Sequence, residues 1–267
     1  MTTASTPFGA AMENLFNLNG LVALVAGGYG GIGTALSWGL ARYGASVAVA
    51  GRSPERARAC AAALAERGYR GYGTAFDVLE VEEIARMVDE VHHHFGRIDI
   101  LVNCVGTHIE APAEELAEAA WDKVVDTNLK GAFFLSQAVA RHQIAARTGG
   151  RHIHLTSVRS ALGIRRGYIA YCSSKGGLPT MIRQLATEWA RYNITVNAIA
   201  PTFIRTDLVK EYLDDEAFYT TLVNRIPLAR VGDPIDLVGA TLLFASPAGA
   251  FITGQNLFVD GGVTATQ

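Results

Sequence analysis

The amino-acid sequence predicts an α/β fold: a doubly wound parallel sheet of about seven strands, with helices on both faces. Three observations predict it. Short apolar runs of strand length alternate with longer segments of helical period along nearly the whole chain. The first run, Leu21-Val22-Ala23-Leu24-Val25-Ala26, passes straight into a glycine-rich turn and then a helix. Polar and charged residues with chemical uses recur just after the strands, where ligands bind in such a sheet.

The continuous apolarity of residues 21–26 suits a parallel strand buried on both faces. Gly27-Gly28-Tyr29-Gly30-Gly31-Ile32-Gly33 follows, then a helix to about Tyr43. Ser46 to Ala50 is a second strand, and Pro54 opens a helix that runs to about Arg67. Residues near 70–76 form a third strand, ending at Asp77-Val78 and followed by a helix from about Glu80 to Phe95. Ile98 to Val102 is the fourth, ending in Asn103-Cys104-Val105-Gly106. A long helical region spans about Glu114 to Ala146, with Trp121, Val124, Val125 and Leu129 on one face. Arg151 to Thr156 is a fifth strand ending at Ser157; the next helix carries Tyr171 and runs to about Arg191. Ile194 to Ile199 and Asn256 to Val259 complete the sheet. The expected organisation is an N-terminal tail over 1–18 and one domain over 19–267, with a substrate-covering segment at about 202–225.

Composition narrows the function classes. Of 267 residues 49% are apolar and 18% charged, enough for a large core in one domain. A net charge of −2 gives no electrostatic case for nucleic acid or an anionic membrane. No apolar run approaches the ~20 residues of a membrane span, and residues 1–18 lack a secretory pattern. Cys60, Cys104 and Cys172 have no metal-ligand spacing and read as free thiols in a reducing compartment. A cytoplasmic protein is expected.

The chemistry concentrates at Tyr171 and Lys175. A spacing of four puts both on one helix face. A free phenol has a pKa near ~10, and a fixed ammonium beside it favours the phenolate. The glycine turn admits two frames, Gly28-x-Gly30-x-x-Gly33 and Gly27-x-x-x-Gly31-x-Gly33; either lets backbone N–H groups approach a pyrophosphate at a helix N-terminus. After the second strand, Gly51-Arg52 stands where an NAD site usually has an acid. A guanidinium there attracts a 2′-phosphate; at roughly 1.5–3 kcal/mol this is one to two decades of preference for NADP(H), with NAD(H) still possible. A solvated surface arginine is the plain alternative. Asp77 either accepts from an adenine amino group or simply starts a helix. His92-His93-His94 point in different directions from a helix and form no metal site. Cys172 has no evident base, and Ser160 is a lesser rival to Ser157.

Taken together, these motifs resemble the short-chain dehydrogenase/reductase family over about residues 18 to 262, and so a Rossmann-type fold. The family's glycine motif falls on Gly27, Gly31 and Gly33, and its Asn-Asn-Ala-Gly loosely on Asn103 to Gly106. Its helix asparagine falls on Asn128, its serine on Ser157, and its Tyr-x-x-x-Lys on Tyr171 and Lys175; Thr253 to Gly262 resembles its last strand. The resemblance implies hydride transfer between a nicotinamide and a carbonyl or alcohol carbon. Tyr171 would move the proton, Lys175 lower the phenol's pKa and hold the nicotinamide ribose, Ser157 position the carbonyl oxygen, and Asn128 shape a helix and hold a relay water. It further implies cofactor contacts from Gly27, Tyr29, Gly30, Gly31, Ile32, Gly33, Arg52, Ser53, Asp77, Val78, Asn103, Val105, Gly106, Tyr171, Lys175, Pro201, Ile204 and Thr206.

Ala26, Cys104-Val105 and Thr202 depart from the family pattern. Pro179 lies four residues after Lys175 and predicts a local helix distortion. Between Ser157 and Tyr171 stand Arg159, Arg165 and Arg166; one of them would bind a carboxylate such as that of a sugar acid, against the alternative of surface arginines. The run Ala200 to Thr206 resembles gluconate-type dehydrogenases, and acyl-carrier-protein ketoreductases share the broad pattern. The expected function is an NADP-preferring oxidoreductase of a small ketone, polyol or sugar acid. A 3-oxoacyl thioester reductase is the alternative, and a catalytically silent nucleotide sensor a remote one. Relatives are commonly tetramers, so a homo-oligomer (tetramer or dimer) is expected, with the helices of Trp121 and Trp189 as candidates for the interface.

Overall fold

The computed structural model describes residues 9–266 and has the expected architecture. Seven strands form one wholly parallel sheet in the order β3-β2-β1-β4-β5-β6-β7. They are β1 (Val22–Ala26), β2 (Ser46–Gly51), β3 (Gly71–Ala75), β4 (Ile100–Asn103), β5 (Gly150–Leu155), β6 (Ile194–Pro201) and β7 (Asn256–Val259). The helices are α1 (Gly9–Glu13), α2 (Gly31–Arg42), α3 (Pro54–Glu66), α4 (Val81–Phe95), α5 (Glu118–Val125), α6 (Gly131–Ala146), α7 (Ile169–Trp189), α8 (Lys210–Asp214), α9 (Glu216–Val223) and α10 (Val238–Ala245). The strand order reverses between β1 and β4, which opens the ligand crevice at their carboxyl ends.

Every residue of β1, β2 and β6 is buried; β1 reads as an unbroken apolar run, while β6 also buries Thr195 and Asn197, the latter with its side-chain amide on the Ile252 carbonyl. Alternation still sorts their side chains. Ala23 and Val25 join Leu36, Leu40 and Phe244 on one face of the sheet. Leu24 and Ala26 join Ile84, Met87, Val88 and Leu135 on the other. At about 25 cal/mol per Å² of apolar surface removed from water, these two layers are the main stabilising term.

Four expectations need correction. The tail boundary lies too late: residues 1–8 fall outside the described residues, but Gly9–Glu13 is helical, and Leu18 is fully buried with its amide on the Tyr43 carbonyl (2.9 Å). The third strand ends at Ala75 rather than Asp77, because Phe76 makes the last ladder bond, to Gly51 (3.2 Å). The long helix before β5 is not uniform. Between α5 and α6 the chain widens into one π turn over Asp126–Lys130, where the Gly131 amide reaches back to the Asp126 carbonyl. Pro179 does not interrupt α7, which runs unbroken from Ile169 to Trp189. Leu178, Ile182 and Leu185 pack with Val196 and Ala198 of β6, and this burial holds the helix across the missing amide.

Candidate active site

β5 ends at Leu155, and Ser157 follows in extended conformation, buried. Its Oγ accepts the Arg159 amide at 3.2 Å, which fixes the hydroxyl at the end of the sheet. α7 starts at Ile169 and presents Tyr171 and Lys175 to the same place. Lys175 is buried; its Nζ donates to the Leu155 carbonyl at 2.7 Å and lies 5.8 Å from the centre of the Tyr171 ring. Burial pushes the lysine down to about 8, with Cys104 pulling weakly the other way. Burial also pushes the Tyr171 phenol up, while hydrogen bonding to Ser157 draws it back. The expected lowering of the phenol by Lys175 is therefore not seen in the protein alone. The ammonium is turned to a strand-end carbonyl, and desolvation of the phenol outweighs it.

Asn128 sits in the π turn and is buried. Its Oδ1 accepts the Thr107 amide (2.8 Å), and its Nδ2 donates to the Thr107 carbonyl (2.9 Å) and to Ser174 Oγ (2.9 Å). The side chain clamps the loop after β4 to α7. That double bond to one backbone residue needs the asparagine's donor and acceptor together, and the wider turn presents both. A Cβ at Gly106 would stand 3.5 Å from both Asn128 Oδ1 and Lys175 Nζ, so Gly106 forms the open floor between them.

The glycine turn lies beside this floor. Gly27 has φ +74°, and its Cβ position faces the Cys104 backbone at 3.1 Å. A Cβ on Gly33 would collide with the Gly27 carbonyl, so helix and turn approach as closely as glycine permits. Gly30 starts α2 with no side-chain cap, which leaves first-turn amides facing out. Thr206 packs over Gly31 from the loop after β6. Tyr29 bridges the turn to the end of β2: its hydroxyl accepts the Ser53 amide at 2.7 Å, and Gly51 makes room for its ring. Arg52 is exposed, and no carboxylate among the described residues pairs with it. An uncapped helix start, a glycine cradle and a free guanidinium fit a dinucleotide carrying a 2′-phosphate.

One cavity of about 220 Å³ brings together Ile32, Gly106, Ser157, Tyr171, Lys175, Pro201, Ile204 and Thr206. The expected adenosine-side residues lie outside it. There Asn103 is buried, with its Oδ1 on the Val105 amide (3.0 Å). Asp77 Oδ1 takes the Leu79 amide (3.0 Å) in a turn ahead of α4, whose cap position is Glu80, so Asp77 does not itself start the helix as its plain alternative expected. Ser53 caps α3 by accepting the Arg56 amide (3.2 Å) and donates to Glu55, so its hydroxyl is occupied. Val78 is buried and packs against Gly131. Sequence reasoning missed two residues. His108 lines the cavity with its ring 5.4 Å from Tyr168 and 6.1 Å from Tyr171. Arg56, in the first turn of α3, lies over the Tyr29 ring at 4.7 Å with its Nη2 on the Tyr29 carbonyl (3.4 Å); a second arginine four residues after Arg52 was the available signal. Of the histidine run, His92 stacks on His142 and His94 on Tyr72. Among the described residues no group of three ligating side chains is placed to hold a metal.

The family model described as "Enoyl-(Acyl carrier protein) reductase" matches residues 27–264. The chain is 38% identical over 251 residues to gluconate 5-dehydrogenase of Gluconobacter oxydans, covering 94% of this chain and 97% of that protein. It is 38% identical over 252 residues to 5-keto-D-gluconate 5-reductase of Escherichia coli, covering 94% and 98%. Among solved structures, a gluconate 5-dehydrogenase from Burkholderia cenocepacia in complex with NADP and tartrate superposes with a TM-score of 0.91 at 37% identity, covering 95% of this chain and 99% of that one. The chain belongs to the short-chain dehydrogenase/reductase family and is an NAD(P)-dependent oxidoreductase that acts on CH–OH groups.

Proposed function

We propose that this protein interconverts a secondary alcohol and a ketone on a small polyhydroxylated chain, a polyol or sugar acid, with NADP(H) as the preferred cofactor. The observation that carries the reading is the meeting of Ser157, Tyr171 and Lys175 in one cavity beside an open glycine cradle. The glycine turn at residues 27–33 and Thr206 would hold the nicotinamide cofactor, which would supply the hydride that goes to the carbonyl carbon. Tyr171 gives its phenolic proton to the carbonyl oxygen, and in the reverse direction takes it from the alcohol. Ser157 Oγ donates a hydrogen bond that holds that oxygen against the phenol. Lys175 turns from the Leu155 carbonyl toward the ribose and the phenol, and its lowered pKa lets it pass a proton near neutrality. Asn128 acts through Thr107 and Ser174, holding the cavity floor to α7. Arg52, with Arg56 in the first turn of α3, favours the 2′-phosphate. The Burkholderia relative's NADP and tartrate agree with both halves of the reading. Residues 202–225 act as a lid that excludes water during the transfer. Exposed Trp121 and Phe251 and three free thiols support a homo-oligomer in the cytoplasm.

The test is NADPH and NADH oxidation against ketones, keto-sugars, keto-sugar acids and acetoacetyl thioesters, with Tyr171→Phe alongside. Expected is NADPH-dependent turnover of a keto-sugar or keto acid that the variant loses. Turnover confined to the thioester would overturn the substrate class; a preference for NADH would overturn the role of Arg52.

A further inference from the structure

Three arginines lie between Ser157 and Tyr171, and the structure gives them different work. Arg166 is fully engaged: it forms a two-bond fork with Glu110 at 2.9 Å each and lies 5.0 Å over the Tyr212 ring and 5.8 Å over Phe218. Arg165 is exposed and outside the cavity. Arg159 is half-buried and lines the cavity with Ser157 and Tyr171.

The geometry of Arg159 is that of a cation held for a partner. Its amide is tied to Ser157 Oγ, which fixes its backbone two residues from that hydroxyl. Its Nη1 donates to the Gly163 carbonyl at 2.6 Å and reaches Leu162 at 3.5 Å. Nε and Nη2 have no partner among the described residues, and no carboxylate pairs with the group. Burial is the largest influence on its guanidinium and disfavours the charge, while Cys172, Tyr171 and Tyr168 favour it and Arg225, the weakest influence, disfavours it. A half-buried guanidinium with two donors unpaired and no carboxylate beside it is unfavourable unless an anion joins it. The free Nε–Nη2 edge is a planar fork of two parallel donors, which matches a carboxylate better than a single hydroxyl.

We propose that Arg159 is the specificity-determining residue of this site: it binds the carboxylate of a hydroxy or keto acid through its Nε–Nη2 edge. The proposal rests on the oxidoreductase reading above and narrows its substrates to the acids. A neutral polyol of equal length leaves the fork unpaired, so the same cavity discriminates against it.

The experiment compares kcat/KM for a six-carbon keto acid with that for the matching neutral ketose, in wild type, Arg159→Gln and Arg159→Lys. A charge-assisted fork predicts that the acid-to-neutral ratio falls about 10- to 150-fold in Arg159→Gln, mostly through KM of the acid. Arg159→Lys keeps charge without the fork and should fall in between. A ratio unchanged in Arg159→Gln overturns the assignment. So does equal loss on both substrates in a variant that keeps wild-type NADPH affinity and cooperative unfolding. If Arg159→Gln does not fold, a wild-type ratio in Arg159→Lys overturns it equally. Tartrate serves as an unreactive probe of the anion site, titrated by NADPH fluorescence into wild type and Tyr171→Phe. Tartrate binding that Arg159→Gln weakens tenfold or more, in a protein that turns over no ketone, would sink the reaction while sustaining the anion site. Turnover with no tartrate binding would do the reverse.

Discussion

The floor of the cavity and the segment above it are built by different means. Ser157, Lys175 and Asn128 are buried, and each is hydrogen-bonded to main chain: Ser157 to Arg159, Lys175 to Leu155, Asn128 to Thr107. In α8 and α9 no described residue is buried, and the segment is held by ring contacts (Phe203 on Phe218, Tyr212 on Phe218, each 5.8 Å) and by the stacked Arg166. The floor draws on the stability of the whole sheet; the upper segment draws on a few half-exposed contacts, each worth about 1 kcal/mol or less. On the function proposed above, the difference separates chemistry from selection: proton transfer needs fixed atoms, whereas entry and fit need a part that opens.

This contrast can be broken or sharpened. The largest effect belongs to the floor: Tyr171→Phe should lower kcat about 10²- to 10⁴-fold and leave NADPH affinity intact, read by nucleotide absorbance and fluorescence. Next comes the cofactor side. Arg52→Asp should shift the NADPH-to-NADH ratio of kcat/KM by about 10- to 150-fold toward NADH; an unmoved ratio would transfer the role to Arg56.

Lys175 supplies a third prediction, on stability. Its pKa is lowered on folding, from 10.5 to about 8. Between these values the unfolded chain binds the extra proton, so stability rises with pH across that window. Below pH 8 the buried ammonium is a full burden, by linkage up to about 3 kcal/mol at about 1.4 per unit. Lys175→Met should therefore melt higher than wild type at pH 7 without cofactor, and the gap should narrow between pH 8 and 10.5; a constant gap would contradict the lowered value. His152 and His154 behave as buried neutral groups, pushed by burial to about 3 and about 4 from 6.5. The folded protein resists their protonation, so stability is lost as pH falls below 6.5 and goes on being lost toward 3. A His154→Gln variant should flatten part of that acid slope in a melting series. The smallest effect belongs to the upper segment: Arg166→Ala should raise substrate KM about two- to fivefold with little change in kcat. A thousandfold fall in kcat there would erase the distinction between the two regions.

What the sequence made legible follows the same division. The strands announce themselves locally, since Leu21 to Ala26 or Ile194 to Ile199 need no partner to be read as buried. The Tyr171–Lys175 pair and the glycine turn are also local patterns. What stayed hidden depends on contacts distant in sequence. Asn128 was legible as a position, but not its grip on Thr107, 21 residues away. Arg166 was indistinguishable from Arg159 until Glu110, 56 residues earlier, took one of them. The π turn left no mark in the apolar pattern, because the shift is one backbone bond. The pull of Lys175 on the phenol could not be read from spacing, because burial of the phenol and the direction of the ammonium are properties of the fold.

The placement of Arg159 has a consequence for descent. It lies on the connection from β5 to α7, in the short turn Val158–Ser160, whose cap uses its main-chain amide and not its side chain. If it holds the substrate's acid group as proposed, exchanging its side chain alters what is accepted while Ser157, Tyr171 and Lys175 stay where they are. A lineage built on this chain could then change its diet by one substitution while the machinery beneath is inherited whole.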